Sequence, residues 1–372
     1  MYQTAGVSLE EALIEESIMH YDVSRRDFLK LCGGTAAMLG LSQAWIPQIA
    51  SALEQAAKRP PVIWLSFQSC SGCFESLAKA DYPDVATIVL DIISLNYQEV
   101  IMAAAGTQSE KNLDDTVAAG GYITIVEGAI ATGIPEAMMV GGKTSEEIVG
   151  EVTANGAATI AVGTCAAYGG VQAMNPNPTG AKGVSDVIST PVINIPGCPS
   201  NPDTMVSTIT YYLLYKEAPK LDSKGRPKFA FSQKVHDNCD RRAHFDSGEY
   251  VEEFGGEEEA KNYCLYKMGC KGPETHSPCP LTLWNSKQNW CIGSGNGCIG
   301  CMEPDFWDEF AGFYDTLPNV PVPGFIGVKT STDYIGSTLV TATMTGIGIH
   351  AIATAAKGRF KENDDISEGS DD

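Results

Sequence analysis

The hydrophobic pattern of the first half of the chain predicts a parallel sheet. Between residues 62 and 195, short runs of apolar and β-branched residues alternate with longer stretches that have room for crossover helices. Near-continuous apolar runs suit strands whose two faces are both covered. The runs are Val62–Phe67, Thr87–Leu90, Tyr122–Val126, Thr159–Val162 and Pro191–Ile195. This alternation predicts an α/β fold with a flavodoxin-like, doubly wound parallel sheet.

The pattern changes at about residue 230. Strand periodicity disappears, and aromatic residues, glycine, proline and cysteine become frequent. Seven cysteines lie between His236 and Cys301. A segment with so little aliphatic core is expected to be held by bound groups, since their binding free energy becomes folding free energy. We therefore predict two folded domains, residues 58–230 with the sheet and residues 231–325 with a largely irregular structure.

A moderately apolar segment, Leu31–Ile49, follows the arginine pair Arg25 and Arg26. This pattern is typical of the signal peptide that the twin-arginine translocase reads when it exports folded proteins. Residues 1–57 are therefore predicted to be an export signal. An amphipathic helix with a chance arginine pair is the alternative. Cys32 lies inside this segment and is not expected to be a ligand.

A second apolar run, Tyr334–Ala356, contains no Asp, Glu, Lys or Arg. As a helix it would span about 35 Å, which is enough to cross a bilayer. Three basic residues follow in the acidic tail 357–372, as expected for a cytoplasmic flank. We predict a transmembrane anchor that holds the globular part at the periplasmic face of the cytoplasmic membrane. A buried core helix is the alternative, because the run is rich in threonine and glycine.

His350 lies inside this apolar run. A histidine that faces lipid is costly, so this side chain is expected to face a partner. Two interpretations stay open. One is a ligand or neighbour of haem in a membrane cytochrome, and the other is a hydrogen-bonded residue at a helix interface.

The chain is strongly acidic, with a formal net charge of −21. Nucleic acid is therefore not expected as a partner, because phosphate binding needs a basic face. Most of the acidic side chains are expected to form a solvated surface. The negative charge therefore argues against nucleic acid as a partner and does not by itself indicate a function.

Eleven of the twelve cysteines lie in groups outside the signal segment. Thiolates are the ligands of iron–sulfur clusters, and histidine can replace a thiolate at an iron. Cys70 and Cys73 follow the first predicted strand, Cys165 the fourth and Cys198 the fifth. Open α/β sheets bind ligands beyond the carboxyl ends of their parallel strands. These four thiolates are thus expected to hold one four-iron cluster.

Other chemistries fit the cysteines less well. A Cys-x-x-Cys pair alone also suits a thioredoxin-like redox centre or half of a zinc site, and structural zinc is an alternative for the later cysteines. Disulfides are common in exported proteins, but eleven cysteines cannot all pair, and the spacing of Cys298 and Cys301 suits chelation better. A flavin protein is a weaker alternative, since the loops that would cradle its phosphate carry cysteines.

At these motifs the chain resembles the small, electron-transferring subunit of nickel–iron hydrogenases. The resemblance covers nearly the whole sequence, and the C-terminal apolar run is similar to that of the membrane-bound uptake type. The matching motifs are Cys70-Ser-Gly-Cys-Phe-Glu-Ser76, Gly163-Thr-Cys-Ala-Ala-Tyr-Gly-Gly170, Pro196-Gly-Cys-Pro199 and Cys298-Ile-Gly-Cys301. Motifs this numerous, in this order, argue against a chance similarity.

The resemblance implies three clusters and assigns their ligands. The proximal set, nearest the nickel–iron centre of a separate large subunit, holds a four-iron cluster and consists of Cys70, Cys73, Cys165 and Cys198. The distal set, where electrons leave, holds a second four-iron cluster and consists of His236, Cys239, Cys264 and Cys270. The medial set between them includes Cys279, Cys298 and Cys301.

Cys291 departs from the pattern of many relatives. They have proline at this position and a three-iron medial cluster, whereas Cys291 offers a fourth thiolate, as in the nickel–iron–selenium branch. We predict three [4Fe-4S] clusters. The alternative is two [4Fe-4S] clusters and one [3Fe-4S] cluster, with Cys291 as a free buried thiol. A fourth thiolate adds negative charge and is expected to lower the medial potential.

Gly72 and Gly170 mark a second departure. Oxygen-tolerant relatives carry two additional cysteines at the proximal cluster, at the positions that these glycines occupy. The resemblance therefore implies a standard proximal cluster and an enzyme that oxygen inhibits.

The implied function is electron transfer in a periplasm-facing hydrogenase heterodimer. The large subunit oxidises H2, and this chain supplies no catalytic residue. It passes the electrons to a membrane cytochrome b and quinone, or to a periplasmic multihaem cytochrome c. Glu75 falls near the family's subunit interface, where a proton relay and a helix-start carboxylate are the two interpretations. A standalone iron–sulfur carrier or sensor is the alternative from another class.

Overall fold

The computed structural model describes most of the chain between residues 59 and 357. The described residues are scattered positions between 30 and 49, and 59–81, 84–304, 306, 314–317, 320–321, 329–330 and 332–357. They fall into two compact units, which divide between Thr316 and Leu317. Arg25, Arg26 and the residues beyond 357 lie outside the described residues, so the signal peptide and the tail stay predictions. The predicted boundary between residues 230 and 231 stays a prediction as well.

Five parallel strands form the central sheet of the first unit. They are β1 (Pro61–Ser66), β2 (Ser94–Tyr97), β3 (Ile123–Glu127), β4 (Ala158–Val162) and β5 (Val192–Ile195). Their order across the sheet is β2-β1-β3-β4-β5, which is the order of flavodoxin-like sheets. Two short antiparallel pairs join Ile130–Ala131 to Ala181–Lys182 and Met139–Val140 to Lys143–Thr144. The predicted parallel α/β sheet is confirmed.

One of the predicted strands is wrong. The β-branched run Thr87–Leu90 predicts a strand, but the chain is helical there and β2 begins later. The Asp84 side chain starts this helix, because it accepts a hydrogen bond from the Thr87 N–H at 2.8 Å. Ile88 and Ile92, four residues apart, then pack into one buried cluster. Periodicity alone cannot separate a strand from a buried helix over so short an apolar run.

Helices cover both faces of the sheet. They are α1 (Gly72–Ala78), α2 (Thr107–Ala119), α3 (Ser145–Ala154), α4 (Gly163–Tyr168) and α5 (Pro202–Tyr215). Successive side chains of β1 point to opposite faces, so Val62 and Trp64 belong to one buried cluster and Ile63 and Leu65 to another. The first cluster includes side chains of α1 and α5, and the second includes side chains of α2 and α3. Because all five strands are parallel, the loops that follow their carboxyl ends lie at one edge of the sheet.

The N-terminus of α5 depends on Asn201. Its Oδ1 accepts hydrogen bonds from the N–H groups of Asp203 and Thr204 at 3.0 and 3.4 Å, and its Nδ2 donates to the Leu283 carbonyl oxygen at 3.0 Å. Asn201→Ala is expected to cost about 1–2 kcal/mol of stability, because the helix loses its cap. The urea midpoint of the purified protein measures this loss. Asn201→Ser keeps a capping oxygen and, like alanine, lacks the Nδ2 donor, so it is the control, and equal losses in both variants would contradict the capping role.

The described residues from 228 to 304 contain only short helical turns, at most five residues long. The turns are Lys228–Phe231, Val235–Asn238, Arg242–Asp246, Glu257–Ala260, Tyr266–Met268 and Cys279–Thr282. A small buried cluster that includes Val235, Val251, Leu265 and Ile292 lies among them. Because this apolar cluster is small, we expect bound groups to supply much of the stability of this region.

The second unit contains a two-stranded pair and a long helix. Val320–Pro321 pairs antiparallel with Lys329–Thr330, and α6 comprises Thr332–Ala356. Within α6, Thr338–Ala356 has a mean hydropathy of 1.4 and is long and apolar enough to cross a membrane. It is the one such helix among the described residues, and the finding rests on length and composition.

Candidate functional site

The proximal set lies at the carboxyl edge of the sheet. Cys70 lies in the loop after β1, Cys73 in α1, Cys165 in α4 directly after β4, and Cys198 in the loop after β5. Burial raises the pKa of Cys73 well above its usual range, and the charges of Glu127, Cys165 and Cys198 raise it further. Cys70 in turn lies close enough to Cys165 and Cys198 to raise their pKa values. The structure thus brings the four predicted thiols together.

Glu127 is a buried acid beside this set. It ends β3, is 2% exposed, and its Oε1 accepts a hydrogen bond from the Cys73 N–H at 3.0 Å. Its Oε2 accepts one from the Trp64 Nε1–H at 3.2 Å. Burial raises the pKa of Glu127, while the hydrogen bonds from Cys73, Trp64 and Phe74 lower it. Sequence reasoning missed this residue, although an acid at the end of a buried strand, on the edge where cysteines gather, is a usable signal.

Three glycines give the proximal thiols their room. At Gly163, φ is +83° and a Cβ would lie 2.5 Å from the Cys73 Sγ, so glycine is required there. A Cβ at Gly170 would lie 2.8 Å from the Cys165 Sγ, and one at Gly72 would lie 3.1 Å from a neighbouring thiol. Gly72 and Gly170 therefore border the proximal set, and neither supplies a further ligand.

The distal set lines one cavity. His236, Cys239, Cys264 and Cys270 all border the same small cavity. Burial lowers the pKa of His236, and the charge of Arg242 lowers it further, so the ring is neutral and can offer a lone pair to a metal. Burial raises the pKa of Cys239 to about 12, and it also raises those of Cys264 and Cys270. The four predicted ligands therefore lie around a single space.

Backbone and aromatic contacts hold the distal histidine. The His236 N–H donates to the Gly272 carbonyl oxygen at 3.2 Å. The imidazole packs edge-on against Phe245, with ring centroids 4.5 Å apart, and Phe245 packs in turn against Tyr250 and Tyr266. These contacts fix the orientation of the ring before any metal binds.

The medial set includes Cys291. Cys279 begins a short helix, and burial raises its pKa, with a further contribution from the charge of Cys291. Burial also raises the pKa of Cys301, as do the charges of Cys279 and Cys298. Cys291 is exposed as a whole residue, yet burial around its thiol raises its pKa as well. Cys279 thus lies within electrostatic reach of both Cys291 and Cys301.

Hydrogen bonds connect the three sets. The Thr164 hydroxyl, next to Cys165, donates to the Cys301 carbonyl oxygen and accepts a hydrogen bond from the Gly197 N–H, next to Cys198, at 2.9 Å. On the other side, the Cys298 N–H donates to the Cys270 Sγ at 3.3 Å. The medial set therefore contacts the proximal set through Cys301 and the distal set through Cys298.

A buried carboxylate, Glu303, fixes the segment that follows Cys301. Its Oε1 accepts hydrogen bonds from the Arg226 Nη1 at 3.1 Å and the His276 N–H at 2.7 Å, and its Oε2 pairs with the Lys224 Nζ at 2.7 Å. Burial raises the pKa of Glu303, but these hydrogen bonds and cations outweigh it and lower the pKa overall. Glu303 thus joins two loops to the medial segment, and no local sequence pattern pointed to it.

The thiols suit polynuclear metal clusters. The eleven cysteines from Cys70 to Cys301 all belong to the described residues, and none of them is paired in a disulfide. Burial raises the pKa values of the enclosed thiols, so a metal is needed to hold these groups deprotonated. Among the described residues, no group of three or more Cys, His, Asp or Glu is spaced to hold a single metal ion. In a polynuclear cluster each thiolate binds a different iron, so the thiolates stand further apart than around one ion.

The remaining predicted residues lie away from these sets or at their edge. Glu75 is exposed in the first turn of α1, where a carboxylate stabilises the helix N-terminus. His350 is exposed in α6. Both functional interpretations, proton relay and haem neighbour, stay predictions.

Comparisons with known proteins agree on one family. The profile for the C-terminal part of the NiFe/NiFeSe hydrogenase small subunit matches residues 231–314, and that of the NADH ubiquinone oxidoreductase 20 Kd subunit matches residues 70–212. The quinone-reactive Ni/Fe-hydrogenase small chain of Wolinella succinogenes is 43% identical over 338 residues, covering 89% of this chain and 95% of its own. The periplasmic [NiFe] hydrogenase small subunit 1 of Nitratidesulfovibrio vulgaris is 46% identical, covering 84% and 99%.

A solved structure extends the likeness to three dimensions. A chain of the Ni-Fe-Se hydrogenase from Desulfomicrobium baculatum has a TM-score of 0.66 and 36% identity, covering 69% of this chain and 99% of its own. Similarity at this level, over nearly the full length of the relatives, shows the family as well as the fold. The chain therefore belongs to the small subunits of the heterodimeric nickel–iron hydrogenases.

Proposed function

We propose that this chain carries electrons from the H2-oxidising centre of the large subunit to an acceptor, through three iron–sulfur clusters. The observation that supports this most is the order of contact between the ligand sets. The Thr164 hydroxyl, next to the proximal ligand Cys165, donates to the Cys301 carbonyl oxygen, and the Cys298 N–H donates to the Cys270 thiol at 3.3 Å. When bound, such clusters supply one-electron carriers. The medial cluster would then pass electrons from the proximal cluster to the distal cluster.

The proposed ligands are the proximal, medial and distal sets, with Cys291 as the fourth medial ligand. The chain holds the thiols in place with backbone donors, such as the Gly272 N–H, which lies 3.4 Å from the Cys270 Sγ. Hydrogen bonds to the sulfurs are one of the means by which a protein sets cluster potentials. Burial of Cys73 and Cys298 keeps water away from the carriers.

We infer that the electrons leave the distal set for a membrane cytochrome b and quinone, with a periplasmic multihaem cytochrome c as the alternative. One relative is named quinone-reactive and another periplasmic, so the names support either acceptor. The apolar helix α6 favours the membrane, and His350 within it is the proposed neighbour of haem. Export by the twin-arginine translocase, on the signal at Arg25 and Arg26, would place the globular part on the periplasmic face.

The medial cluster type can be tested at Cys291. With four thiolates available, the oxidised wild-type protein is expected to show no three-iron signal in electron paramagnetic resonance (EPR). Cys291→Pro removes the fourth ligand, so a strong three-iron signal is expected to appear, with about one iron fewer per chain. A strong three-iron signal in the wild type would make Cys291 a free thiol and would contradict the assignment.

The response to oxygen can be tested at the proximal set. Gly72 and Gly170 border the set without supplying thiolates, so the enzyme is expected to lose H2 oxidation on exposure to air. An H2 electrode that follows uptake through timed pulses of air measures this loss, and pulses of nitrogen are the control. Sustained uptake in air would contradict the prediction.

Metal analysis of the native heterodimer tests the proposed function as a whole. The expected result is a stoichiometric large subunit with nickel, and about twelve iron atoms on this chain when three four-iron clusters are present. The chain purified without a large subunit, yet carrying its iron, would instead support a standalone carrier or sensor. Bound flavin would support the third interpretation.

A further inference from the structure

Lys271 lies between the medial and distal sets. It follows Cys270, a proposed distal ligand, and its N–H donates to the carbonyl oxygen of Cys298, a proposed medial ligand, at 2.7 Å. The Cys298 N–H donates in return to the Cys270 Sγ at 3.3 Å. These two hydrogen bonds hold a ligand of each set side by side. The backbone of Lys271 is therefore part of the contact between the two sets.

The side chain of Lys271 is buried as well. The residue is 1% exposed, and its Nζ donates to the carbonyl oxygen of Gly269 at 2.7 Å and to that of Asp315. A buried cation is costly unless negative charge lies close by. The thiolates of the two sets supply such charge.

A positive charge in this position favours the reduced form of a neighbouring carrier. Net charge around a cluster is one of the determinants of its reduction potential. The effect is strong where the charge is buried, because neither water nor salt screens it as they screen a surface charge. Lys267, four residues earlier, offers the contrast, since its side chain is 49% exposed and pairs with Glu252 at 2.5 Å.

We propose that the Lys271 ammonium raises the reduction potentials of the medial and distal clusters together. The inference rests on the ligand sets of the proposed function. One residue can act on both carriers because the Lys271 backbone lies between Cys270, its neighbour in the chain, and Cys298, to whose carbonyl oxygen it donates. The Nζ stays near this contact, since it donates to the Gly269 carbonyl oxygen at 2.7 Å. The proximal set meets the medial set at a different ligand, Cys301, so its potential is expected to depend little on this charge.

The test is an EPR-monitored redox titration of the intact heterodimer carrying Lys271→Gln or Lys271→Arg. Glutamine is neutral and keeps N–H donors for the buried carbonyl oxygens. In this variant the equilibrium constants for reduction of the medial and distal clusters are expected to fall at least about tenfold, which is 59 mV for one electron. The proximal cluster is expected to keep its potential. Arginine retains the charge, so all three potentials are expected to stay close to the wild-type values.

Lys267→Gln is the matched control, because it removes an exposed lysine from the same segment and is expected to leave all three potentials unchanged. The wild-type heterodimer is titrated first, and absence of clusters there would contradict the proposed function itself. With clusters present, unchanged medial and distal potentials in Lys271→Gln would overturn the inference. An equal shift of all three clusters would do so too. Loss of iron from Lys271→Gln would also overturn it, because the role of the residue would then be structural.

Discussion

Replacement of Cys73 by serine is expected to abolish electron flow from H2. Cys73 is the most enclosed proximal thiol described, and its N–H is held by the Glu127 carboxylate at 3.0 Å. A hydroxyl is a harder and poorer ligand for iron–sulfur clusters than a thiolate. Changes to groups that merely support metal ligands already cost about 10–100-fold. Loss of a ligand is therefore expected to lower H2-driven dye reduction by more than about a hundredfold.

Two measurements accompany this prediction. Iron per heterodimer is expected to fall by about four, since the cluster proposed for the proximal set contains four irons. Phe74→Leu is the matched control, because Phe74 is the next buried residue of α1 and packs against Trp64 with centroids 5.3 Å apart. Leucine keeps an apolar side chain at this position and leaves the thiol in place, so the iron content is expected to stay at the wild-type level. Full iron and full activity in Cys73→Ser would contradict the assignment of Cys73 as a ligand.

Glu303→Ala is expected to be the most damaging change outside the ligand sets. It removes the carboxylate that pairs with the buried Arg226 guanidinium at 3.1 Å and accepts from the His276 N–H, while Arg226 keeps Asp222 at 2.8 Å. Removal of one member of a buried ion pair typically costs about 3–5 kcal/mol, and the remaining pair with Asp222 places the expected loss at the lower end of this range. The medial segment is expected to loosen. The urea concentration at which the visible absorbance of the clusters bleaches measures this loss.

Lys224→Met is the control for Glu303. It removes the other cation of the same network, but the lysine side chain is 39% exposed. An exposed member of an ion pair contributes about 0–1 kcal/mol, so the urea midpoint is expected to move much less. Equal midpoints for Glu303→Ala and the wild type would show that the ion pairs of Glu303 do not stabilise the medial segment.

The sheet could be predicted largely from local sequence. Four of its five strands coincide with predicted apolar runs. A strand that is buried on both faces appears in the sequence as a nearly continuous apolar run. The prediction of a strand at Thr87–Leu90 is wrong because Asp84 caps a helical segment that includes these β-branched residues. Over four residues, the hydrophobic patterns of a strand and of a helix differ too little to distinguish the two structures.

The part of the candidate site that consists of cysteines could be predicted, because thiolates are the ligands of iron–sulfur clusters. Cysteines and their position after strands are visible in sequence, and so the proximal set follows from fold and ligand chemistry together. The supporting residues could not be predicted in this way. Arg226 and Glu303 are separated by 77 residues, and neither lies in a recognisable motif. Their pairing depends on tertiary packing, which local patterns do not contain.

The position of Cys301 has a consequence for the synthesis of the protein. The ribosome completes the proximal set at Cys198 and the distal set at Cys270, but it completes the medial set, the middle of the relay, only at Cys301. The carbonyl of Cys301 then reaches back to Thr164, 137 residues earlier. A chain that stops between Cys270 and Cys301 would contain the ligands proposed for the two end clusters and would lack Cys301. Premature termination in this short interval is therefore expected to remove the proposed middle carrier.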